Sequence, residues 1–474
     1  MASWRLSRLG EVDLRRNRLE RLAFALLFLP FVLAFMSWLW FPTLSMGLIR
    51  LTGYRPVFQS TSALWYATVW LFYTWYTFLA IGVAGFFVVV AWLVRRRKAS
   101  LKPKDMFYPM VSFIVPCFNE GERIGRCVLS LFECASRYSG LCEIIVVDDG
   151  STDLTYETAW GAVEVGHQRY RNTRGKIVRH CGNLGKVEAI RSGVNKAFGS
   201  IIAVVDGDSW WGPETLTHLV DYMFANGKAA VTGYVHPSDG GHETNLYCIL
   251  QQLEYSQGLG IFRCAQSYGN SVTVVPGAVG VFRGDILRDI INVYTPTSVT
   301  EDLEITLEMQ KRGYGVGYTS EAFAGTVAPQ SFNGLWGQRI RWFTGWLDNC
   351  LGAHRDLLFK RRWISALLWF TLITEYGGAL IDLAALVGFP FLFWYSPDRA
   401  YFALNFLIFI VYGLIIGATN LAIALKFCYG KFNWSWLLVY SPLYYILKFL
   451  NGAARLVGSA RFLFLGDRGI WHRT

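Results

Sequence analysis

Residues 22–41, LAFALLFLPFVLAFMSWLWF, run without one charged side chain. A stretch of about 20 apolar residues is what a helix needs to cross the hydrocarbon core of a bilayer. Residues 64–94 form a second, longer apolar run, with aromatics crowded into its first half, as at membrane–water interfaces. A cleaved signal peptide does not account for the first run, because a second span follows and no small-residue cleavage site stands out. In lipid every backbone polar group must find its partner inside the segment, so both runs are expected to be helices.

The charges give these spans a direction. Arg5, Arg8, Arg15, Arg16, Arg18 and Arg21 precede the first run, and Arg95, Arg96, Arg97 and Lys98 follow the second. The positive-inside rule places both flanks in the cytoplasm. The first 21 residues interleave Trp4, Leu9, Val12 and Leu19 with arginines, a pattern that suits a helix lying along the headgroups. Only 17% of residues are charged and 53% are hydrophobic, yet the formal net charge is +11. A basic surplus on so apolar a chain fits anionic headgroups. It does not fit nucleic acid, since zinc-finger spacing and a basic recognition helix are both missing. The nine cysteines are scattered without a CxxC pair, which reads as free thiols in a reducing compartment.

From about residue 364 the chain turns apolar again, with segments near 364–394, 400–428 and 434–458 each long enough to cross. Two spans, a cytoplasmic domain and three more spans would leave the C-terminus outside. Arg455, Arg461, Arg468 and Arg473 favour the inside. One C-terminal segment is therefore expected to be re-entrant, interfacial or split, and Pro442 marks a break. The organisation expected is an N-terminal amphipathic and two-span region over 1–105, a soluble domain over 106–330, interfacial helices over 331–363 and a membrane region with tail over 364–474.

Within 106–330 apolar strands alternate with helical patterns, as in a parallel-sheet α/β domain. Residues 111–120, VSFIVPCFNE, are a strand running into a turn; EIIVVDDGSTD and IIAVVDGDS repeat that plan. In open parallel sheets the loops after the strands' C-terminal ends line the ligand crevice, so these acidic loops are expected to converge. Such a site suits a nucleotide sugar. Asp206 and Asp208, flanking Gly207, offer oxygen ligands to a hard divalent cation. Asp148 or Asp149 can accept hydrogen bonds from a base or ribose. Lys186, in NLGKVEA, can meet phosphate as a point charge. A DxD alone is more often a solvated turn; acidic loops in this order are not.

The succession IVPCFNE, DDGSTD, NLGK, DGDS, TEDLEIT and QRIRW resembles the family 2 glycosyltransferases with a GT-A fold, an α/β, Rossmann-like architecture. Within them it looks like the membrane-embedded processive branch of hyaluronan, chitin, cellulose and poly-N-acetylglucosamine synthases. The likeness spans roughly residues 108–346. It implies a UDP-sugar donor, Mg2+ or Mn2+ as cofactor, and inverting transfer of a hexose or N-acetylhexosamine onto a growing polysaccharide. By the same likeness Pro116, Phe118 and Glu120 hold the nucleotide with Lys186 and Asp206, and Asp148 contacts the uridine. Asp206 and Asp208 hold the metal. Asp302 of Thr300-Glu301-Asp302 is the general base, and Gln338, Arg341 and Trp342 sit beside the diphosphate and the acceptor, with Trp342 as a stacking face.

Each role has a plainer rival. Asp302 opens what reads as a helix, where acids are common as caps. QRIRW, with Arg339 among its cations, also reads as a basic interfacial face. Glu375 and Asp382 share a helix face in an apolar segment, and Trp436, Tyr440, Tyr444, Lys448, Asn451 and Arg455 recur at helical spacing. Polar groups at membrane depth face protein or a watery cavity, so either helix packing or a path for exported polymer fits them. The tail GDRGIWHRT offers Trp471 and Arg473 as a gating loop over the nucleotide, as related synthases use. A multi-pass protein of the cell membrane follows, with membrane lipid as a partner and no oligomeric state specified. The alternatives are a single-addition glycolipid synthase of the ceramide or diacylglycerol type and a non-catalytic glycan translocator.

Overall fold

The computed structural model describes residues 83–98, residues 108–395 apart from 171, 241–244, 295 and 361, and residues 434–466, with single positions such as Trp75 and Leu421. The first span, the arginines before it, most of 64–94 and the tail bearing Trp471 and Arg473 lie outside the described residues.

After helix α1 (Ala84–Lys98), the chain builds an alternating unit. Strand β1 (Val111–Cys117) leads to α2 (Arg123–Arg137), β2 (Cys142–Asp148) to α3 (Thr155–Arg169), and β3 (Thr173–Arg179) to α4 (Lys186–Asn195) and β4 (Ile201–Val204). VSFIVPC and CEIIVVD are buried along their whole length, as strands covered by helices on both faces must be. TRGKIVR is polar because β3 is the sheet edge, where arginine and lysine also deter further pairing. Helix α2 buries Ile124, Cys127, Val128, Leu131, Phe132, Cys134 and Ala135, the stripe that a period of 3.6 residues directs at one sheet face. Pro116, with no N–H to donate, lies past the last β1–β4 pair, Ile114 with Val204, so the ladder loses nothing there.

Beyond β4 the sheet is mixed. Short β5 (Ser209–Trp211), helix α5 (Thr215–Ala225) and β6 (Ala230–Ser238) precede α6 (Leu246–Tyr255), which runs on through a π-helical turn, Ser256–Arg263, into α7 (Cys264–Tyr268). Then come β7 (Gly280–Arg283), α8 (Gly284–Asp289), α9 (Glu301–Lys311) and β8 (Val316–Val327). The order is β3-β2-β1-β4-β7-β6-β8-β5. The β3-β2-β1-β4 half is parallel, whereas β7 runs antiparallel to both β4 and β6. β6 and β8 pair parallel again, so the expectation of a parallel sheet fails at β7 and at the edge strand β5, because alternation of apolar and helical segments carries no information on strand direction. The result is the mixed, Rossmann-like sheet of the GT-A type.

Helix α10 (Phe332–Leu347) carries QRIRW. It packs along the long helix α13 (Trp434–Leu465), reached after α11 (Trp363–Thr371) and α12 (Gly378–Trp394). Among the described residues, one helical stretch, Trp363–Phe391, is long and apolar enough to cross a membrane. Leu380, Leu383, Leu386, Val387 and Phe391 point outward from it. The polar residues expected on these segments meet protein: Glu375 pairs with Arg455, Asn451 donates to Glu254 at 2.8 Å, and the Tyr444 hydroxyl donates to Gln257 at 2.7 Å.

Glu143 ties the edge of the sheet together. Its buried carboxylate accepts from Ser112 Oγ at 2.6 Å, from the Phe198 N–H at 2.6 Å and from Lys176 at 3.1 Å. Burial alone would raise its pKa, but these donors outweigh burial and lower it. A lowered folded-state pKa stabilises above the unfolded value, and the benefit is lost as pH falls through the folded one. Glu143→Gln is therefore expected to cost about 1–3 kcal/mol at neutral pH, the scale of hydrogen bonds to a charged group. Thermal melts of the two proteins should converge on acidification below roughly pH 4.

Candidate active site

The first two strand-end loops are stitched to each other. The Asp149 N–H donates to the Cys117 carbonyl at 2.9 Å, Asn119 N–H to Ser151 Oγ at 3.0 Å, and Thr155 Oγ1 accepts from the Glu120 and Gly121 N–H groups at 2.8 and 2.9 Å. Phe118 projects from the same turn and is 41% exposed.

The two adjacent aspartates do different things. Asp148 is fully buried; it accepts from the Ser151 N–H at 3.0 Å and pairs with Arg179 Nε at 3.1 Å. Asp149 accepts from the Leu184 and Gly185 N–H groups at 2.9 and 2.7 Å and meets His180 Nδ1 at 2.7 Å. It thereby shapes the NLGK turn, and Lys186 opens α4 where its ammonium reaches the third loop.

That third loop holds Asp206 and Asp208. Lys186 Nζ lies 2.8 Å from Asp206 Oδ1 and 2.7 Å from Glu301 Oε1. Asp208 Oδ1 accepts from Ser209 Oγ at 3.1 Å and Thr326 Oγ1 at 3.3 Å. Glycine between them leaves room for the turn: a Cβ at 207 would stand 3.1 Å from both Cys117 Cβ and Glu120 Cγ, and those side chains would have to give way. Gly277 is tighter. Its carbonyl accepts the Asp206 N–H at 2.9 Å, and a Cβ there would fall 2.4 Å from Asp206 Oδ1.

Asp302 stands in the first turn of α9, with Oδ1 accepting its neighbour Leu303 N–H at 2.8 Å. It is helix-terminal and in the cluster at once. Burial and the Glu301 charge push its carboxyl up to about 6, against the pull of Lys186. Burial and Asp206 push Asp208 up to about 6, and burial with Asp208 pushes Glu120 up to about 7. Burial opposes the Lys186 charge, yet Asp206, Glu301 and Asp302 outweigh it and hold the ammonium well above its usual pKa.

Helix α10 is locked to the start of α9. Asn349, just past α10, donates to Ser298 Oγ at 3.0 Å and to Thr300 Oγ1 at 3.2 Å. Gln338 turns its Oε1 inward, buried and without a hydrogen-bond partner. Arg341 and Trp342 are half-buried. Arg339 does not belong to an interfacial basic face: it is 1% exposed, ion-paired to Glu254, with its guanidinium 4.4 Å from the Trp342 ring centre. The apolar neighbours of α10 and a carboxylate on α6 draw it inward, which periodicity on α10 alone does not reveal.

Glu120, Lys186, Asp206, Asp208 and Asp302 are thus brought together. Asp148 stands behind them, Trp471 and Arg473 lie outside the described residues, and three participants escaped the sequence reading. Glu301 was visible only as part of a motif. Gly277 had a signal in VVPGAVG, a glycine after a strand. Arg263, on the π-helical turn, had none; burial pulls its guanidinium down to about 10, opposed by Asp302, and its Nη1 is buried without a hydrogen-bond partner.

The model of the family described as Glycosyl transferase family 2 matches residues 112–291, the segment that carries these loops up to the end of α8. Residues 112–291 of this chain form a family 2 glycosyltransferase domain. A poly-beta-1,6-N-acetyl-D-glucosamine synthase of Staphylococcus epidermidis is 24% identical to this glycosyltransferase over 294 residues, covering 60% of the chain and 68% of that protein. An N-acetylglucosaminyltransferase of Mesorhizobium japonicum is 28% identical over 296 residues, covering 60% and 66%. The mannosyltransferase PcManGT of Pyrobaculum calidifontis, solved with GDP-Man and Mn2+, aligns at a TM-score of 0.48 and 16% identity, over 83% of the chain and 99% of that structure.

A methyl group at 277 must displace the Asp206 carboxylate. Gly277→Ala is expected to slow sugar transfer by roughly tenfold or more, about 1.4 kcal/mol. Gly161→Ala, on α3 with open space around its Cβ, should leave transfer unchanged in the same assay.

Proposed function

We propose that this glycosyltransferase moves N-acetylglucosamine, or a closely related hexose, from a UDP-sugar onto a growing polysaccharide with inversion at the anomeric carbon. The observation that carries the reading is the gathering of Asp206, Asp208, Lys186 and Asp302 at the C-terminal edge of one sheet. The donor sugar follows from the names of the matched relatives. A UDP leaving group suits an acidic cleft with a lysine only if a divalent cation joins it.

The residues fit Mg2+ or Mn2+. Among the described residues no group of three or more His, Cys, Asp or Glu side chains makes a full cage. A pair of carboxylates is what such an ion takes when substrate phosphates supply the remaining oxygens. Asp206 and Asp208 would hold it, and it would supply neutralisation of the charge that gathers on the departing diphosphate.

Asp302 is the proposed base. An acceptor hydroxyl becomes a competent nucleophile as its proton is taken, and a carboxyl raised to about 6 takes it readily at neutral pH. One carboxylate and direct displacement give inversion. Lys186 and Arg341 would receive phosphate oxygens. Trp342 would give the acceptor ring a flat face, and Gln338 would offer it an acceptor oxygen. Pro116, Phe118 and Glu120 would wall the nucleotide. Asp148 enters that role as the anchor of the uridine loop, with Arg179 on its Oδ2.

Export of the polymer through the membrane region, and a multi-pass placement in the cell membrane, belong to the same proposal. The outward leucines of Trp363–Phe391 and the polar side chains shared between α6 and α13 support it.

Incubation of purified protein with UDP-N-acetylglucosamine and Mn2+ should release UDP and give a high polymer or a ladder of chitin-like or 1,6-linked oligomers. A single sugar on lipid would replace this reading with a glycolipid synthase. Asp302→Asn is expected to lower kcat by about 10²–10⁴-fold, the usual contribution of a positioned base, with donor binding kept. In the wild type kcat/KM should fall as pH drops through about 6, because the protonated carboxyl cannot accept a proton. UDP release that persists in Asp302→Asn would remove Asp302 from the chemistry.

A further inference from the structure

Lys186 has two partners, and one of them is an oxygen that a metal needs. Its ammonium sits 2.8 Å from Asp206 Oδ1 and 2.7 Å from Glu301 Oε1. Asp206 has little freedom to offer a different oxygen. Its N–H is held by the Gly277 carbonyl at 2.9 Å, and the carboxylate occupies the space a Cβ on Gly277 would take, 2.4 Å from Oδ1 and 2.6 Å from Oδ2. Asp208 is likewise fixed, by Ser209 and Thr326. An ammonium and a divalent cation at Asp206 Oδ1 therefore compete for the same lone pairs.

We propose that Lys186 is a resident counter-ion, parked between Asp206 and Glu301, that keeps the metal site weak until a diphosphate draws the ammonium away. Metal and nucleotide then enter together. Glu301, which no motif role covers, is the carboxylate that receives the lysine. The inference rests on the metal-dependent UDP-sugar reading above and adds to it an order of binding and two positioning residues.

The electrostatics agree. Asp206, Asp208, Glu301 and Asp302 crowd one cleft, and like charges so close raise each other's energy. A single ammonium relieves that repulsion when the nucleotide is elsewhere. A diphosphate brings more negative charge than one carboxylate and is the better partner for a lysine on a flexible stem. A metal cation then replaces the positive charge that Asp206 has lost. By linkage, the factor by which UDP tightens the metal equals the factor by which the metal tightens UDP.

The test measures Mn2+ uptake by the full chain in detergent, from the electron paramagnetic resonance signal of free Mn2+, with and without UDP. Wild-type protein should bind Mn2+ weakly alone and far more tightly with UDP. Lys186→Met should bind Mn2+ alone at least about fivefold more tightly, with the UDP effect reduced by a similar factor. Arg123→Met removes a cation that faces Glu120 but not Asp206, and should change neither. Glu301→Gln leaves the ammonium on Asp206 alone, so Mn2+ alone should bind more weakly than in the wild type. Folding of each variant is checked by circular dichroism.

The proposal is overturned if folded Lys186→Met binds Mn2+ alone no more tightly than wild type, or if Arg123→Met gives the same gain, which would make it a matter of general field. Should Lys186→Met fail to fold, Glu301→Gln decides: Mn2+ binding alone at or above wild-type strength overturns it. Failure of the underlying metal reading looks different. There, wild type and Asp208→Asn would take up no Mn2+ even with UDP, and both ideas would fall.

Discussion

Asp206 on one side and the adjacent Glu301 and Asp302 on the other come from distant parts of the chain and share the charge of one lysine. Without Lys186 the carboxylates at the end of β4 and the start of α9 would repel across the cleft, although α9 is also tied to the Gly277 segment through Thr306 and Gln310. The fold supplies the position: β1 and β4 are neighbours, and β7, entering between β4 and β6, brings the turn with Gly277 beneath Asp206. The lysine supplies the compensation. Asp302 and Asp208 still feel the surplus, since their carboxyls remain raised to about 6 with the ammonium in place. The divalent cation of the proposed reaction would relieve that imbalance.

The placement of that lysine depends on Asp149, which looks from the sequence like a ligand residue. Its two oxygens take the Leu184 and Gly185 N–H groups and His180. Every acceptor so engaged defines where α4 begins. Asp148, one residue earlier, is turned to the other side of the strand end and answers Arg179. Alternation at the end of β2 thus splits a DD pair into one residue that shapes the lysine loop and one that braces its own loop through Ser151.

Much of this was legible in the chain. The strands VSFIVPC and CEIIVVD are apolar without alternation, as doubly covered strands must be, and the helix over TEDLEIT begins where its acids cluster. Strand ends carry the carboxylates, so their convergence follows from a parallel sheet. The antiparallel β7 was not legible, because GVFR has the same composition in either direction. Nor was the burial of Arg339, since its partner Glu254 lies on another helix and no local period links them. Long-range pairs of this kind, such as Lys186 with Glu301, are written in the fold and not in any window of sequence. The glycines at 207 and 277 are intermediate: each marks a turn, but only the packed structure says which side chain a methyl would strike.

Glu254 carries the argument one step outward from the cleft. One of its oxygens takes Arg339 of α10 and the other takes Asn451 of α13. A fully buried arginine is costly unless its charge is answered, and removing either partner leaves an uncompensated ion. The pair therefore fixes α10 against α6 and against the long C-terminal helix at the same point. Arg339 also faces the Trp342 ring from behind, so the indole takes its orientation from a residue that is itself anchored to α13. On α10 the next turn meets α13 again, where Arg455 covers the Phe343 ring and reaches Glu375. The helix bearing Gln338, Arg341 and Trp342 is held at one end by Ser298 and Thr300 beside the carboxylate cluster and along its length by the C-terminal helices. A shift of α13 away from α10 breaks the Asn451–Glu254 hydrogen bond and lifts Arg455 from the Phe343 ring, and a shift of α10 cannot leave Thr300 untouched. The carboxylate cluster and the apolar helices are in this sense one mechanical unit, joined through the side chains of Glu254, Arg339, Asn451 and Arg455.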